Sequence, residues 1–487
     1  MTRAGRGGSA VQKGGVSAER EGSGRLAGRA GYVLCAAGFA LTLWAFYPGL
    51  MSPDSIDQWR QGRAWVFNDV HQPVMSALWG LFDRVWAGPA PMLVFHNLLF
   101  WGGAALFWRA TRGAAPRLSL IFAALGFMPQ VWAMLSTIWK DVGLGAALFL
   151  ASALLYGAGR HGRRFGVFAA CPLLFYGYGA RLNAAPAVLP LALWSAYVAC
   201  RQFPKLRARA SSFKPLPVVL GLAYFALLTL AIFAATRALT KGQTIYPYQQ
   251  TLLHDLAAVS KEEGRPLFPT YITGYENFSH EKVSENYSDE WINTLIYGSP
   301  PLLPYTGDAE QVASLRAAWW DAVRGHKLTY LRHRWAVYRK LTGFGTEIVY
   351  KSFNPATGLN NPPPFRRTPN ALTRALTSYF FFFSNSVFFR GFVWILVCLA
   401  LVYFSLRLGL AGDLGAALML ASSGLLYALA YFFITPSSEF RYLWWTVLAA
   451  CSSATLFAVH LSEHPGVLRG RGAVLSSAEK DDTPARS

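Results

Sequence analysis

The sequence predicts an all-α polytopic membrane protein with about ten transmembrane helices and a large loop region outside the membrane. Three observations carry this. The chain is 53% hydrophobic and 15% aromatic but only 14% charged, well below the usual quarter of charged residues. Its apolar residues fall in blocks of roughly 20, the length that crosses about 30 Å of hydrocarbon as helix. Its basic residues collect in alternate connections between those blocks. Because the bilayer offers no water to backbone groups, the spans are expected to be helical.

In chain order the expected spans are 31–49, 91–108, 118–136, 142–158, 165–179, 184–200, 216–236, 387–406, 413–434 and 442–461. The block 165–179 is short and holds Pro172, and 74–87 is interrupted by Asp83 and Arg84, which suits an interfacial helix. Segment 1–30 is rich in Gly, Ser and Arg and reads as a disordered basic tail, as does the chain after about 465 within a tail at 462–487. The first apolar block exceeds the usual h-region, and PGLMSPD is a poor cleavage site, so it reads as a retained anchor. The chain thus divides into an N-terminal membrane module 31–236 with an outer loop at 50–90, a loop region 237–386, and C-terminal helices 387–461.

Orientation follows from the short loops. Arg3, Arg6, Lys13, Arg20, Arg25 and Arg29 precede the first span; Arg109, Arg112 and Arg117, then Arg160, Arg163 and Arg164, then Arg201, Lys205, Arg207, Arg209 and Lys214 fill later connections; Arg469, Arg471, Lys480 and Arg486 end the chain. All share one side if both termini are cytoplasmic, which predicts a multi-pass plasma (inner) membrane protein. The net charge of +20 is therefore spread over loops rather than gathered in the stripe that nucleic acid requires, and no nucleic-acid partner is expected. Four of the five cysteines lie within apolar runs and Cys200 ends one, without metal-ligand spacing.

That orientation leaves 50–90, 137–141, 180–183, 237–386 and 435–441 outside, and these hold DSID, DVHQP, WKD, ARLN and SSEFRY. In SPDSIDQWRQ, Ser52 is a good N-cap and Pro53 fits the first helical position. Asp54, Asp57, Gln58 and Gln61 then share a face opposite Ile56, Trp59 and Arg63. Asp54 in the first turn is favoured in its ionised form by the helix dipole and is suited to act as general base or metal ligand; a capping Asp on a solvated face is the plainer reading. In NDVHQPV, Asp69 and His71 precede Pro73, either as groups for a phosphate or hydroxyl or as an ordinary surface turn. Lys140 and Asp141, Arg181 and Asn183, and Glu439 and Arg441 place cations at the outer ends of spans, for a phosphate or for snorkelling to headgroups. Segment 313–340 reads as one or two amphipathic helices with Trp319, Val323, Leu328, Leu331 and Trp335 as the apolar stripe, packing on the membrane domain or its interface.

An acidic motif straight after the first helix, an H-P-type element, many helices and a large late outer loop together resemble the GT-C superfamily of polytopic glycosyltransferases, similar to protein mannosyltransferases and lipid A aminoarabinose transferases. The architectural likeness covers about 31–461 and its motifs are PDSID, HQP, KD and RLN. It implies transfer of a sugar from a polyprenyl-phosphate-type lipid donor to a glycan, lipid or protein acceptor on the extracytoplasmic face. It also implies that Asp54 is the catalytic carboxylate and that His71 and Pro73 are the H-P element, here with Gln72 inserted. The common Asp-Glu pair is replaced by Asp-Ser-Ile-Asp, which leaves the choice between Asp54 and Asp57 open, along with a divalent metal. Two rivals stand beside this: a transporter or flippase of a lipid or sugar, for which midplane charges, broken helices and repeats are the signature, and an O-antigen ligase or polymerase.

Overall fold

The structure, a computed structural model, describes residues 13–345, 361–409 and 412–466, with side chains from residue 29 onward. Among these residues every regular element is a helix, and the only β pairings are two isolated bridges, Leu50 with Thr137 and Trp291 with Ser437. The first helix, α1 (Lys13–Phe46), starts inside the segment that composition marks as disordered. Residues 1–12 and 467–487 lie outside the described residues.

Two short helices, α2 (Pro53–Ala64) and α3 (Pro73–Asp83), pack on each other before α4 (Ala90–Thr111). α4 lies against α1, where Gly31 and Gly38 leave room for the indoles of Trp108 and Trp101; a Cβ at either glycine would overlap a ring. The expected span 118–136 is not one helix but two, α5 (Pro116–Ala124) and α6 (Pro129–Leu135), bent by 53°. Pro129 is the cause: it has no N–H to continue the ladder and forces the preceding Met128 into extended geometry (φ −63°, ψ 136°).

α7 (Lys140–His161) is the central helix, packed on α4 and on α8 (Phe165–Ala180). α8 has 16 residues and carries Pro172; at 1.5 Å per residue it is about 24 Å long, short for a full crossing. α9 (Ala185–Gln202), the basic α10 (Pro204–Ser212) and α11 (Leu216–Leu239) follow. Then come α12 (Gln249–Glu263), α13 (Thr270–Thr273), α14 (His280–Asn286), α15 (Asn293–Ile296), α16 (Ala309–Gly325) and α17 (Lys327–Thr342). Most of these enclose an apolar core of their own that includes Leu253, Leu256, Ile272, Val283, Leu295 and Leu315. The chain closes with α18 (Ala371–Phe383), α19 (Gly391–Leu408), α20 (Asp413–Ile434) and α21 (Trp444–Glu463).

Among the described residues eight helices (α1, α4, α7, α9, α11, α19, α20 and α21) are long and apolar enough to cross a membrane, and the bent α5–α6 pair makes a ninth if it counts as one span. The expected ten fall to that number because α8 is too short.

The amphipathic segment resolves into two helices that break at His326. Trp319 and Val323 pack as expected, but Leu328, Leu331 and Trp335 are exposed. The buried face of α17 instead includes Tyr330, His333, Arg334, Val337, Tyr338 and Leu341. A buried ion pair decides this: the Arg334 guanidinium meets Asp255 of α12 at 2.5 Å and donates to the Thr435 carbonyl at 2.8 Å. Tyr338 meanwhile donates to the Ala428 carbonyl of α20 at 3.2 Å. A charged residue with a buried counter-charge thus displaces the apolar stripe that periodicity alone favours.

Candidate functional site

The N-termini of α2 and α7 are stitched together. Ser52 and Ser55 form a reciprocal capping box at the start of α2. Ser55 Oγ also donates to the Ile138 carbonyl at 2.6 Å, and Trp139 Nε1 donates to Ser52 Oγ at 2.9 Å. The Leu50–Thr137 bridge runs beside them. Asn361, buried, closes the loop from behind: its Oδ1 accepts from the Met51 N–H at 3.0 Å and its Nδ2 donates to the Gly49 carbonyl at 2.8 Å. Asp54 and Asp141 therefore sit in the first turns of two adjoining helices, where the backbone dipoles favour carboxylates.

On this frame, residues from five distant segments converge. Arg441, which lies in the short 3-10 turn Phe440–Leu443 ahead of α21, donates to Asp54 Oδ2 at 2.9 Å, touches the Glu439 carboxylate and lies 3.8 Å from Asp141 Oδ2. Arg181 follows α8 in extended conformation, bonds the Asp141 carboxylate and donates through Nε to Asn183 Oδ1 at 2.9 Å. Its guanidinium rests 4.3 Å from the ring centre of Tyr442, and Asn183 donates to the Tyr431 hydroxyl at 3.2 Å. Arg441 in turn stacks on Trp139 at 5.0 Å. Lys140 Nζ donates to His71 Nδ1 at 2.9 Å, and His71 Nε2 faces Asp57 Oδ2 at 3.7 Å. Asp57 also accepts from Gln61 at 2.7 Å.

The electrostatics follow from these contacts. Burial opposes ionisation of Asp54, but Arg441 and the Lys140 ammonium overcome it and hold the carboxyl well below the usual carboxylate range; its side chain stays 33% exposed. Burial, reinforced by Lys140, pushes His71 down to about 3, so the ring is neutral at physiological pH. A neutral imidazole that accepts at Nδ1 carries its proton on Nε2, toward Asp57. Burial raises Glu439 against the pull of Arg441. Arg181 and Arg441 are both neutralised by carboxylates. Lys140 has an imidazole nitrogen as its partner and forms no ion pair among the described residues, which makes it the cation most available to an incoming anion.

Of the residues picked out from sequence, Asp54, Asp141, Arg181, Asn183, Glu439 and Arg441 lie in one set of contacts, and Asp57, His71 and Lys140 in a second set beside it. Asp69 lies in neither. Its carboxylate accepts from the backbone N–H groups of Ile245 and Tyr246 at 2.5 and 3.3 Å, pinning the chain after α11 where Tyr246 adopts φ 53°. Sequence reasoning passed over Trp139, Tyr431 and Tyr442. Trp139 and Tyr442 adjoin Lys140 and Arg441 in sequence, and Tyr427 and Tyr431 stand one turn apart at the end of α20 with hydroxyls 2.9 Å apart; an (i, i+4) tyrosine pair at a span's end is the signal by which sequence reasoning could have found the latter two. Tyr297, after α15, is exposed, and its hydroxyl accepts from Gln250 at 3.4 Å.

The metal left open by the sequence has no obvious cage: among the described residues no group of three or more His, Cys, Asp or Glu side chains is disposed to hold an ion. Arg441 engages Asp54 while Gln61 and His71 engage Asp57, so the two acids serve separate partners. Compared with protein-family models, characterised proteins and solved structures, the chain matches none.

Proposed function

We propose that the chain is a membrane glycosyltransferase of GT-C type that moves a sugar from a polyprenyl-phosphate-type lipid donor to an acceptor on the extracytoplasmic face of the inner membrane, with both termini cytoplasmic. The observation that carries the reading is the joining of Asp54 to Arg441 beside Lys140 and His71, at the ends of helices able to cross a membrane. Transfer needs an ionised carboxylate for the acceptor hydroxyl and a cation for the departing phosphate, held side by side.

In this reading the acceptor oxygen attacks the anomeric carbon of the donor sugar, the bond from that carbon to the phosphate oxygen breaks, and the lipid phosphate leaves with the bond's electron pair. The acceptor proton passes to Asp54, or to Asp57 one turn along the same helix. Arg441 keeps Asp54 ionised at every physiological pH, which makes it always able to accept but weakly basic. That suits a reaction in which the leaving phosphate does much of the work. Lys140 meets the phosphate charge. Arg181 and Arg441, already paired, position Asp141 and Asp54 and polarise the site.

The bent α5–α6 pair is the one feature that favours a transporter, since broken helices build transport sites. Its hinge, Leu125 to Pro129, holds no ionisable side chain, so it offers no ion or substrate ligand of the kind that reading requires. The test is sugar transfer in membranes supplied with polyprenyl-phosphate-linked sugars. Asp54→Asn is expected to lose roughly 10²–10⁴ in rate, the range for general acid–base groups. Near wild-type transfer by folded Asp54→Asn removes Asp54 as base and moves the role to Asp57.

A further inference from the structure

A cavity lies at the opposite end of the helices that carry the candidate site. It encloses about 450 Å³ among α7, α9, α11 and α20, with walls that include Leu155, Leu193, Trp194, Val218 and Met419. That volume is within the ~300–1,000 Å³ of ordinary ligand sites. α7 carries Lys140 at one end and Arg160 at the other, so the cavity is about 30 Å from the candidate site, at 1.5 Å per residue. α9 and α20 repeat the arrangement, with Asn183 and Tyr431 near one end and Arg201 and Asp413 at the other.

The charges at its mouth are unequal in availability. Arg160 is fully engaged: its guanidinium bonds both oxygens of Asp413, at 2.9 and 2.7 Å, and Glu463 at 2.6 Å. Arg201 is exposed, donates to the Tyr197 hydroxyl at 3.4 Å, and forms no ion pair among the described residues. Directly after it, α10 exposes Lys205, Arg207 and Arg209 and buries nothing. Arg207 donates to the Arg201 carbonyl at 3.1 Å, which ties the start of the basic helix to the end of α9 beside Arg201.

We propose that this cavity binds an anionic phospholipid of the adjoining leaflet, with an acyl chain along the apolar walls and the phosphate at Arg201 and α10. An apolar groove on a membrane-facing surface takes up lipid tails, and an uncompensated arginine backed by a basic helix selects negative headgroups over zwitterionic ones. The site is separate from the sugar-transfer reading and survives its failure.

The experiment is native mass spectrometry of the full chain in detergent with equimolar phosphatidylglycerol and phosphatidylcholine of matched acyl chains. Phosphatidylglycerol is expected to be retained in clear excess. Arg201→Ala lowers that retention about fivefold, the factor for one surface cation, and Arg201→Lys keeps most of it. Met419→Trp, which fills the groove without touching a cation, is expected to release the lipid. Equal retention of both lipids by the wild type overturns the proposal, as does unchanged retention in Arg201→Ala or Met419→Trp. Wild-type melting in the two lipids gives a readout independent of any variant's folding: stabilisation no greater in phosphatidylglycerol also overturns it.

Discussion

Replacing Arg441 with Met removes the cation that joins Asp54, Asp141 and Glu439. Four carboxylates (Asp54, Asp57, Asp141 and Glu439) face three cations (Lys140, Arg181 and Arg441) in the wild type, with His71 neutral. Loss of Arg441, itself only 7% exposed, leaves Asp141 with Arg181 alone and strips Asp54 and Glu439 of their nearest cation. Breaking a buried pair by removal of one partner costs about 3–5 kcal/mol, because the remaining charge is uncompensated; the partial exposure of Asp54 places the effect toward the lower end. The assay is thermal melting of the full chain in detergent from pH 7.5 to 5.

The sign of the pH effect is fixed by the carboxyls. In the wild type Asp54 titrates below its unfolded value, so its contribution is present above the ordinary carboxylate range and is lost as pH falls through its folded value. Without Arg441 burial meets weaker opposition, Asp54 and Glu439 shift upward, and protonation relieves the variant as pH falls. The gap between wild type and Arg441→Met therefore narrows from pH 7.5 to 5. The double variant Arg441→Met/Glu439→Gln recovers part of the loss. A variant that melts with the wild type at pH 7.5, or a gap that widens as pH falls, refutes this account.

Three further outcomes are expected. Asp69→Ala destabilises by about 1–3 kcal/mol, from two backbone donors left without their acceptor, yet transfer per folded molecule stays within a few-fold of wild type; a loss as deep as that of Asp54→Asn returns Asp69 to the site. His71 is held near 3 in the fold while an unfolded histidine protonates near 6.5, so the stability it contributes is complete above about pH 6.5 and is lost as pH falls through that window; melting of His71→Gln between pH 7.5 and 4.5 should show a shallower slope, and an unchanged slope speaks against the neutral ring. Gly62 of α2 crosses Gly80 of α3 with no room between, and a Cβ there meets the Ser76 carbonyl and the Gly80 backbone. Gly62→Ala is expected to cost about 1–3 kcal/mol as overpacking and to lower transfer through displacement of Asp57, whereas full stability and activity place the close crossing outside the site's support.

The α2 cap illustrates what local sequence dictates: Ser52 and Pro53 mark a helix start from short-range chemistry, and the structure has the capping box there. Hydropathy likewise placed the long apolar helices, because burial in hydrocarbon is a property of each block by itself. It overestimated α8, where length rather than composition fails, and it joined α5 to α6, where a single proline outweighs the apolar run. The stripe assigned to α17 failed for a non-local reason, since Arg334 is buried by a partner on α12 that no periodicity reveals.

The sequence by itself determined the membrane class, the approximate spans and the gathering of ionisable side chains at helix ends, all of which depend on composition within about 20 residues. Only the tertiary structure decided which of those side chains meet. It paired Asp54 with Arg441 across 387 positions, joined Arg181 to Asp141, left Lys140 with a neutral imidazole and withdrew Asp69 to cap a turn. The physical reason is that ion pairs act over a few ångströms, so partner choice is set by how α2, α7, α8 and the turn before α21 pack together.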